Sequence, residues 1–422
     1  MSDPYASPVW HPFTQHGIEP QALSIRSAEG AWLESTDGQR VFDAISSWWV
    51  ITHGHRHPKI VRAIQEQAEK LDQVVFAGFT HEPAESVARA LIRVAPAGLS
   101  HVFFSDSGST SVEVALKMAL GYWRHRGKAR SRILALEHAY HGDTVGTMSA
   151  GARGVFNAAY EPLLFDVGRI PFPTTGKKQA TIDALHDACK QGDVAAFICE
   201  PLILGAGGML IYDAATLAEM HRICASYGVL FIADEVMTGF GRTGTMFACE
   251  KASITPDIMC LAKGLTGGSL PLAATLCKPE IFEAHLSKDR GRMFFHSSSY
   301  TANPIACAAA VANLDIWRTE PVLLRVETLS QLQSQARSVI SQDNRFQNVR
   351  QVGTILAFDV ANVAGGYLAD VALTLRSRCL GEGVLIRPLG STIYVMPPYC
   401  TTENDLTHVY DVISNAVTEV CP

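Results

Sequence analysis

The chain has 422 residues, of which 47% are hydrophobic and 18% charged. Length predicts two or three domains at about 150 residues each, and the apolar content excludes a disordered chain. Thirty-five basic residues against 41 acidic ones leave a formal charge of −6, so no basic surplus points to a nucleic-acid partner.

The opening string MSDPYASPVWHPF has no basic segment and no apolar core of the kind found in a secretory leader. No apolar run is long enough to predict a membrane span. Short strand signals, AWLES and RVFDA, flank the turn Asp37-Gly38. HVFFS (101–105) predicts a strand, and residues 107–126 a helix with Val112, Leu116 and Ala119 on one face. Residues 133–136, 195–199, 229–233 and 258–261 predict further strands. A helix over 214–227, ended by Gly228, lies between two of them. Strands apolar on both faces and separated by helices predict an α/β fold with a mostly parallel, covered sheet. A polar helical stretch over 320–341 is followed by strand candidates at 355–360 and 392–396, which suggests a smaller α+β domain.

Ten cysteines include no C-x-x-C pair, and Cys199 and Cys260 sit in apolar runs. Buried free thiols and a reducing, cytoplasmic setting are expected. The histidines of HGHRHP (53, 55 and 57) have no nearby Cys or Glu to complete a metal set, so a turn or helix start is expected and no metal. The basic run RHRGKARSR (124–132) predicts a solvated helix end that suits the helix dipole.

Asp234 directly follows the strand FIA, where ligands of open α/β sheets bind. Alone it could equally cap a helix. Lys263 follows IMCL and is ringed by Gly264, Gly267 and Gly268. A desolvated lysine there can lose its proton and react with an aldehyde. Together the two suit pyridoxal phosphate, which needs a lysine to hold its aldehyde and an acid at its pyridine nitrogen. Ser107-Gly108-Ser109-Thr110 opens a helix after a strand, where unpaired N–H groups suit a phosphate. Tyr140, after the strand ILAL, could stack on a flat ring. GFGRTG (239–244) matches G-x-G-x-x-G, but it does not immediately follow its strand. No acid lies about 20 residues on, so a dinucleotide site is not expected.

ADEVMTGFGRTG followed by PDIMCLAKGLTGG resembles the cofactor signature of the class III aminotransferases, fold-type I pyridoxal-phosphate enzymes. The resemblance spans nearly the whole chain. It implies Lys263 as the lysine that holds the cofactor, Asp234 as the acid on its ring nitrogen, and Glu200 beside it. It also implies Gly108 and Ser109 at the phosphate and Tyr140 on the ring. WHPFTQ, SSWW, HAYHGDT, EPLILGAGGM and IRPLGSTIYVMPPY resemble a narrower, biotin-pathway branch of that class. That branch moves an amino group from S-adenosylmethionine to 8-amino-7-oxononanoate. Lysine or an ω-amino acid with pyruvate stay open as alternatives.

The resemblance implies a substrate pocket walled by Phe13, Trp48, Trp49, Tyr140, Lys263 and Tyr394, with Arg387 on a substrate carboxylate. It implies a homodimer in which Ser298 and Ser299 reach the second copy's phosphate and Ser297 its substrate. A large cofactor domain over 56–310 is expected, with a small domain built from 1–55 and 311–422. Three departures, Phe13 for Tyr, Leu204 for a polar residue, and HSSSY for HGPTF, are expected around the substrate.

Overall fold

A computed structural model of the chain describes residues 7–19, 22–363 and 368–420. Cys421, one of the expected free thiols, lies outside them.

A seven-stranded sheet forms the centre. Its spatial order is His101–Ser105, Ala273–Cys277, Ile258–Leu261, Leu230–Asp234, Val194–Cys199, Arg132–Leu136 and Gly168–Ile170. The five strands from Ile258–Leu261 to Gly168–Ile170 pair in parallel. Ala273–Cys277 is antiparallel to both of its neighbours. His101–Ser105 therefore points the same way as Ile258–Leu261. The carboxyl ends of the six co-directional strands open onto one edge of the sheet, where α/β folds bind ligands.

The inner strands are buried on both faces because helices cover both sides. Helix Gly108–His125 buries Val112, Leu116 and Ala119 as its periodicity predicts. Trp123 on that helix donates from Nε1 to the Ala195 carbonyl at 2.8 Å, fixing helix to sheet. The basic run at its end is mostly exposed, as expected, but Arg130 is half-buried. Arg130 stacks 4.4 Å from the Trp123 ring and donates to the Tyr227 and Gly228 carbonyls. A guanidinium is weakly hydrated and planar, so an aromatic face and carbonyls can replace water around it.

Both chain ends meet in one sheet. Ile25–Glu29, Trp32–Ser35 and Arg40–Asp43 form antiparallel pairs, and Val384–Leu385 adds to Arg40–Asp43 in parallel. Phe346–Val352, Ile355–Val360 and Thr392–Val395 form a further antiparallel sheet. The helix expected over 320–341 spans Val322–Ile340 and buries Val322, Val326, Leu329 and Gln333. Gln333 is a polar core residue. Its amide donates to the Thr354 and Val395 carbonyls, which satisfies groups that would otherwise be buried unpaired. No helix among the described residues is long and apolar enough to cross a membrane.

Gly353 joins two strands of the C-terminal sheet and rests on the GFGRTG loop. Its φ is +54°, and a Cβ there would lie 2.2 Å from the Thr243 carbonyl carbon. Gly353→Ala cannot relax without moving backbone. It is expected to cost at least about 2 kcal/mol, read as a lowered urea midpoint at unchanged slope.

Candidate active site

Five of those carboxyl ends supply one cavity of about 410 Å³. Ser105 leads to Asp106–Ser109, Leu136 to Tyr140–Gly142, Cys199 to Glu200, and Leu261 to Lys263, while Asp234 ends its own strand. Asp234 pairs with Cys260 across adjacent parallel strands, so Lys263 emerges beside it. Side chains alternate along a strand. Glu235, next in sequence, points away and accepts from the Ala248 and Cys249 N–H groups. That alternation separates the acid that faces the cavity from the one that caps a helix.

Asp234 is held at both oxygens. His141 donates from Nδ1 to Oδ2 at 2.7 Å, and Val236 N–H donates to Oδ1 at 3.1 Å. His141 was missed by sequence reasoning, although it sits inside the YHGD string. The helix beginning at Gly108 has a capping box between Ser107 and Thr110, and its first N–H groups have no intrahelical acceptor. Small residues shape the cradle beside it. A Cβ on Gly108 would lie 2.6 Å from Val236 Cγ1, and one on Gly142 would lie within 2.1 Å of Ser109 Oγ.

Burial lowers the Lys263 ammonium to about 8, against the opposing pull of Asp234 and Glu200, and Arg242 lowers it further. Its Nζ sits 4.7 Å from the Trp49 ring. Burial, and then Asp234, push the Glu200 carboxyl up to about 7, despite His141 and the N–H groups of Tyr140 and Gly205 that bond it. Burial and Asp143 raise the Tyr140 hydroxyl, so it stays protonated.

Trp49, Tyr140 and Lys263 also line a second cavity of about 330 Å³, which continues past Trp48, Phe13, Phe156 and Tyr394 to Arg387. Phe13 meets Trp48 edge-on with centroids 5.5 Å apart and Phe156 at 6.1 Å. Arg387 lies 4.6 Å over the Trp48 ring and donates to the Phe13 carbonyl at 3.1 Å. Trp49 donates from Nε1 to the Tyr394 hydroxyl at 3.0 Å.

The two tryptophans stand on an unusual backbone. Ser46, Ser47, Trp48 and Trp49 have φ values of 53°, 45°, 70° and 74°. They form a left-handed turn without glycine, at a cost of about 1–2 kcal/mol per residue. Nothing in SSWW announces it. Ser46 Oγ donates to the Met396 carbonyl at 2.8 Å. Fully buried Arg242 donates to the carbonyls of Trp49, Ile51 and Pro397. That is the task of the GFGRTG string. Its arginine anchors the turn that carries both tryptophans, and a Cβ on Gly241 would lie 2.8 Å from Trp317.

Other expected residues lie elsewhere. Ser297, Ser298 and Ser299 line neither cavity of this chain, and Ser298 Oγ is buried with no hydrogen-bond partner among the described residues. Leu204 is fully buried in the main core and lines neither cavity, so that departure does not fall where it was expected. His53 bonds Asn313, His55 bonds Asp43, and His57 pairs with Glu320 just before helix Pro58–Ala68.

The sequence profile of the family Aminotransferase class-III matches residues 13–417. A protein of Synechococcus elongatus named adenosylmethionine-8-amino-7-oxononanoate aminotransferase is 46% identical over 98% of this chain and 99% of its own length. One of that name from Geobacter sulfurreducens is 35% identical over 97% of this chain and 95% of its own. The crystal structure of the enzyme so named from Methanocaldococcus jannaschii superposes with a TM-score of 0.93 at 32% identity, covering 98% of this chain and 97% of that one. A PLP-bound amine transaminase from an uncultivated Pseudomonas species gives 0.91 at 30% identity, covering 98% and 99%. With a matched profile and relatives of this identity over nearly its full length, the chain belongs to the class III aminotransferases.

Proposed function

We propose that this aminotransferase uses pyridoxal phosphate to move an amino group from S-adenosylmethionine to 8-amino-7-oxononanoate, giving the 7,8-diamino product of biotin biosynthesis. The carrying observation is the pair Asp234 and Lys263 at adjacent parallel strand ends, in a cavity that opens into an aromatic channel ending on Arg387. The names of the relatives support the substrate pair. The residues present fit the cofactor. A half-buried lysine with a lowered proton affinity, an acid oriented at both oxygens, and a glycine-lined helix start meet in one cavity. When bound, pyridoxal phosphate supplies an aldehyde and an electron-accepting ring.

The protein's part divides by residue. Lys263 Nζ holds the cofactor and, once released, moves a proton at the reacting carbon as base and then acid. Asp234, oriented by His141, keeps a positive charge on the ring nitrogen. N–H groups at Gly108 and Ser109 bind the phosphate. Tyr140 stacks on the ring, and Glu200 backs the site by fixing the Tyr140 backbone. Trp48, Trp49, Phe13 and Tyr394 enclose the apolar acceptor chain, and Arg387 binds its distal carboxylate with a charge-assisted pair. The cofactor domain is assigned to residues 56–310 and the small domain to 1–55 with 311–422, with helix Pro304–Thr319 running through the boundary between them. The enzyme works as a cytoplasmic homodimer, in which Ser298 and Ser299 of one copy approach the phosphate of the other and Ser297 its substrate. Reduced thiols, eight of them buried among the described residues, support the reducing compartment.

A single-turnover half-reaction tests the donor. S-adenosylmethionine is expected to bleach the cofactor's visible band. A band that responds only to an ω-amino acid and recovers with pyruvate overturns the substrate assignment. Lys263→Ala is expected to abolish that band and lower turnover by at least about 10³-fold. Arg387→Leu is expected to raise the acceptor KM roughly 10–100-fold with a small change in kcat, the loss of one charged hydrogen-bonding pair. Burial disfavours the charged form of Lys263, so its proton leaves near pH 8 in the cofactor-free protein. An exposed lysine holds its proton to about 10.4. Between those values the unfolded chain keeps the proton and the folded chain does not, so this group adds stability as pH rises through the window. One lysine resonance titrating near pH 8 in the carbon-13-methylated apoprotein is the expected reading.

A further inference from the structure

The left-handed turn Ser46–Trp49 needs an anchor on its amino side as well as Arg242 beyond it. Asp43, the last residue of strand Arg40–Asp43, supplies one. Its side chain is fully buried. Oδ1 accepts from the Ser47 N–H at 2.8 Å. Oδ2 accepts from Ser47 Oγ at 2.7 Å and from His55 Nε2 at 2.9 Å. Three donors converge on one carboxylate, and two of them come from inside the strained turn.

The placement of that strand matters equally. Asp43 is in register with Leu385 on the parallel strand Val384–Leu385. Arg387 follows two residues later. Trp48 and Arg387, which meet at 4.6 Å, therefore hang from one pair of strand ends. Arg387 is carried by the backbone, and Trp48 by the clamp that Asp43 places on Ser47. Trp49, the next residue, carries its ring to Lys263 at 4.7 Å.

We propose that Asp43 is a positioning residue for the acceptor: its carboxylate holds Ser46–Trp49 left-handed and so sets both tryptophans against Lys263 and Arg387. The proposal rests on reading the aromatic cavity as the acceptor site. A carboxylate suits the task because it accepts from all three donors at once. An amide nitrogen in place of Oδ2 donates there itself, so Ser47 Oγ and His55 Nε2 must each give up donating to it. The β-pairing of Asp43 uses only its backbone, so Asp43→Asn leaves the strand register intact and loosens the turn.

The test uses holoenzyme labelled with 5-fluorotryptophan, in wild type, Asp43→Asn and Ser47→Ala. Trp48→Phe and Trp49→Phe assign two of the six tryptophan signals. Asp43→Asn is expected to shift or broaden those two and leave the other four. It is also expected to raise the acceptor KM about tenfold, the effect of losing a hydrogen bond to a charged group, while kcat at saturating acceptor is retained. Ser47→Ala, which keeps the carboxylate and loses one donor, shows the same pattern at smaller size and decides the matter if Asp43→Asn does not fold. Unmoved Trp48 and Trp49 signals, or a fall in melting temperature with an unchanged acceptor KM, overturn the proposal. A wild-type enzyme that ignores 8-amino-7-oxononanoate defeats the substrate reading instead, and the fluorine spectra still decide the role of Asp43.

Discussion

Everything at this site depends on holding one half-buried lysine largely out of water. An ammonium removed from solvent sheds its proton unless carboxylates hold it, and Lys263 sits between these pressures with burial in the lead. Burial requires a covered sheet, and reach requires a strand end. The fold meets both conditions by pointing six strands to one edge and packing helices over both faces. The same desolvation acts on Glu200, whose proton leaves only near neutrality. Lys263, Asp234 and Glu200 thus share charge at close quarters, and none could be placed there singly without an uncompensated penalty.

Much of this was legible in the chain. Runs such as VAAFIC and IMCL have no polar face, so only a covered sheet can hold them, and their order along the chain gave the helix-separated strands. Asp234 and Lys263 were readable because each lies within two residues of the end of such a run, where an open α/β sheet binds ligands. SGST at a helix start suited a phosphate, but by itself it could equally have been an ordinary serine cap.

What was not legible has a common physical cause. The conformation of Ser46–Trp49 is imposed by groups up to 350 residues away, such as the Met396 carbonyl, against the local preference of every residue in it. Local pattern records propensity, and here tertiary contacts override it. Leu204 misled for a related reason. A position that differs from relatives was expected at the substrate, yet it packs in the core, where an apolar residue needs no further explanation. Ser297 to Ser299 line neither of the two cavities described, and no local pattern in HSSSY says so.

The GFGRTG string shows how a motif can be real and its first meaning wrong. Its glycines do not cradle a nucleotide phosphate. Gly241 passes against Trp317 and Tyr399 where no side chain fits, and that close passage delivers Arg242 into the core. A buried guanidinium without a carboxylate in its hydrogen-bonding plane is costly. Arg242 instead spends its donors on the carbonyls of Trp49, Ile51 and Pro397, with the Tyr399 ring 5.2 Å away. Two of those carbonyls, of Trp49 and Ile51, belong to the left-handed turn and the residues just after it. The strained turn satisfies the buried cation, and the buried cation stabilises the strained turn. Each supports the other, and their joint product is an aromatic wall whose Trp49 ring lies 4.7 Å from Lys263 Nζ.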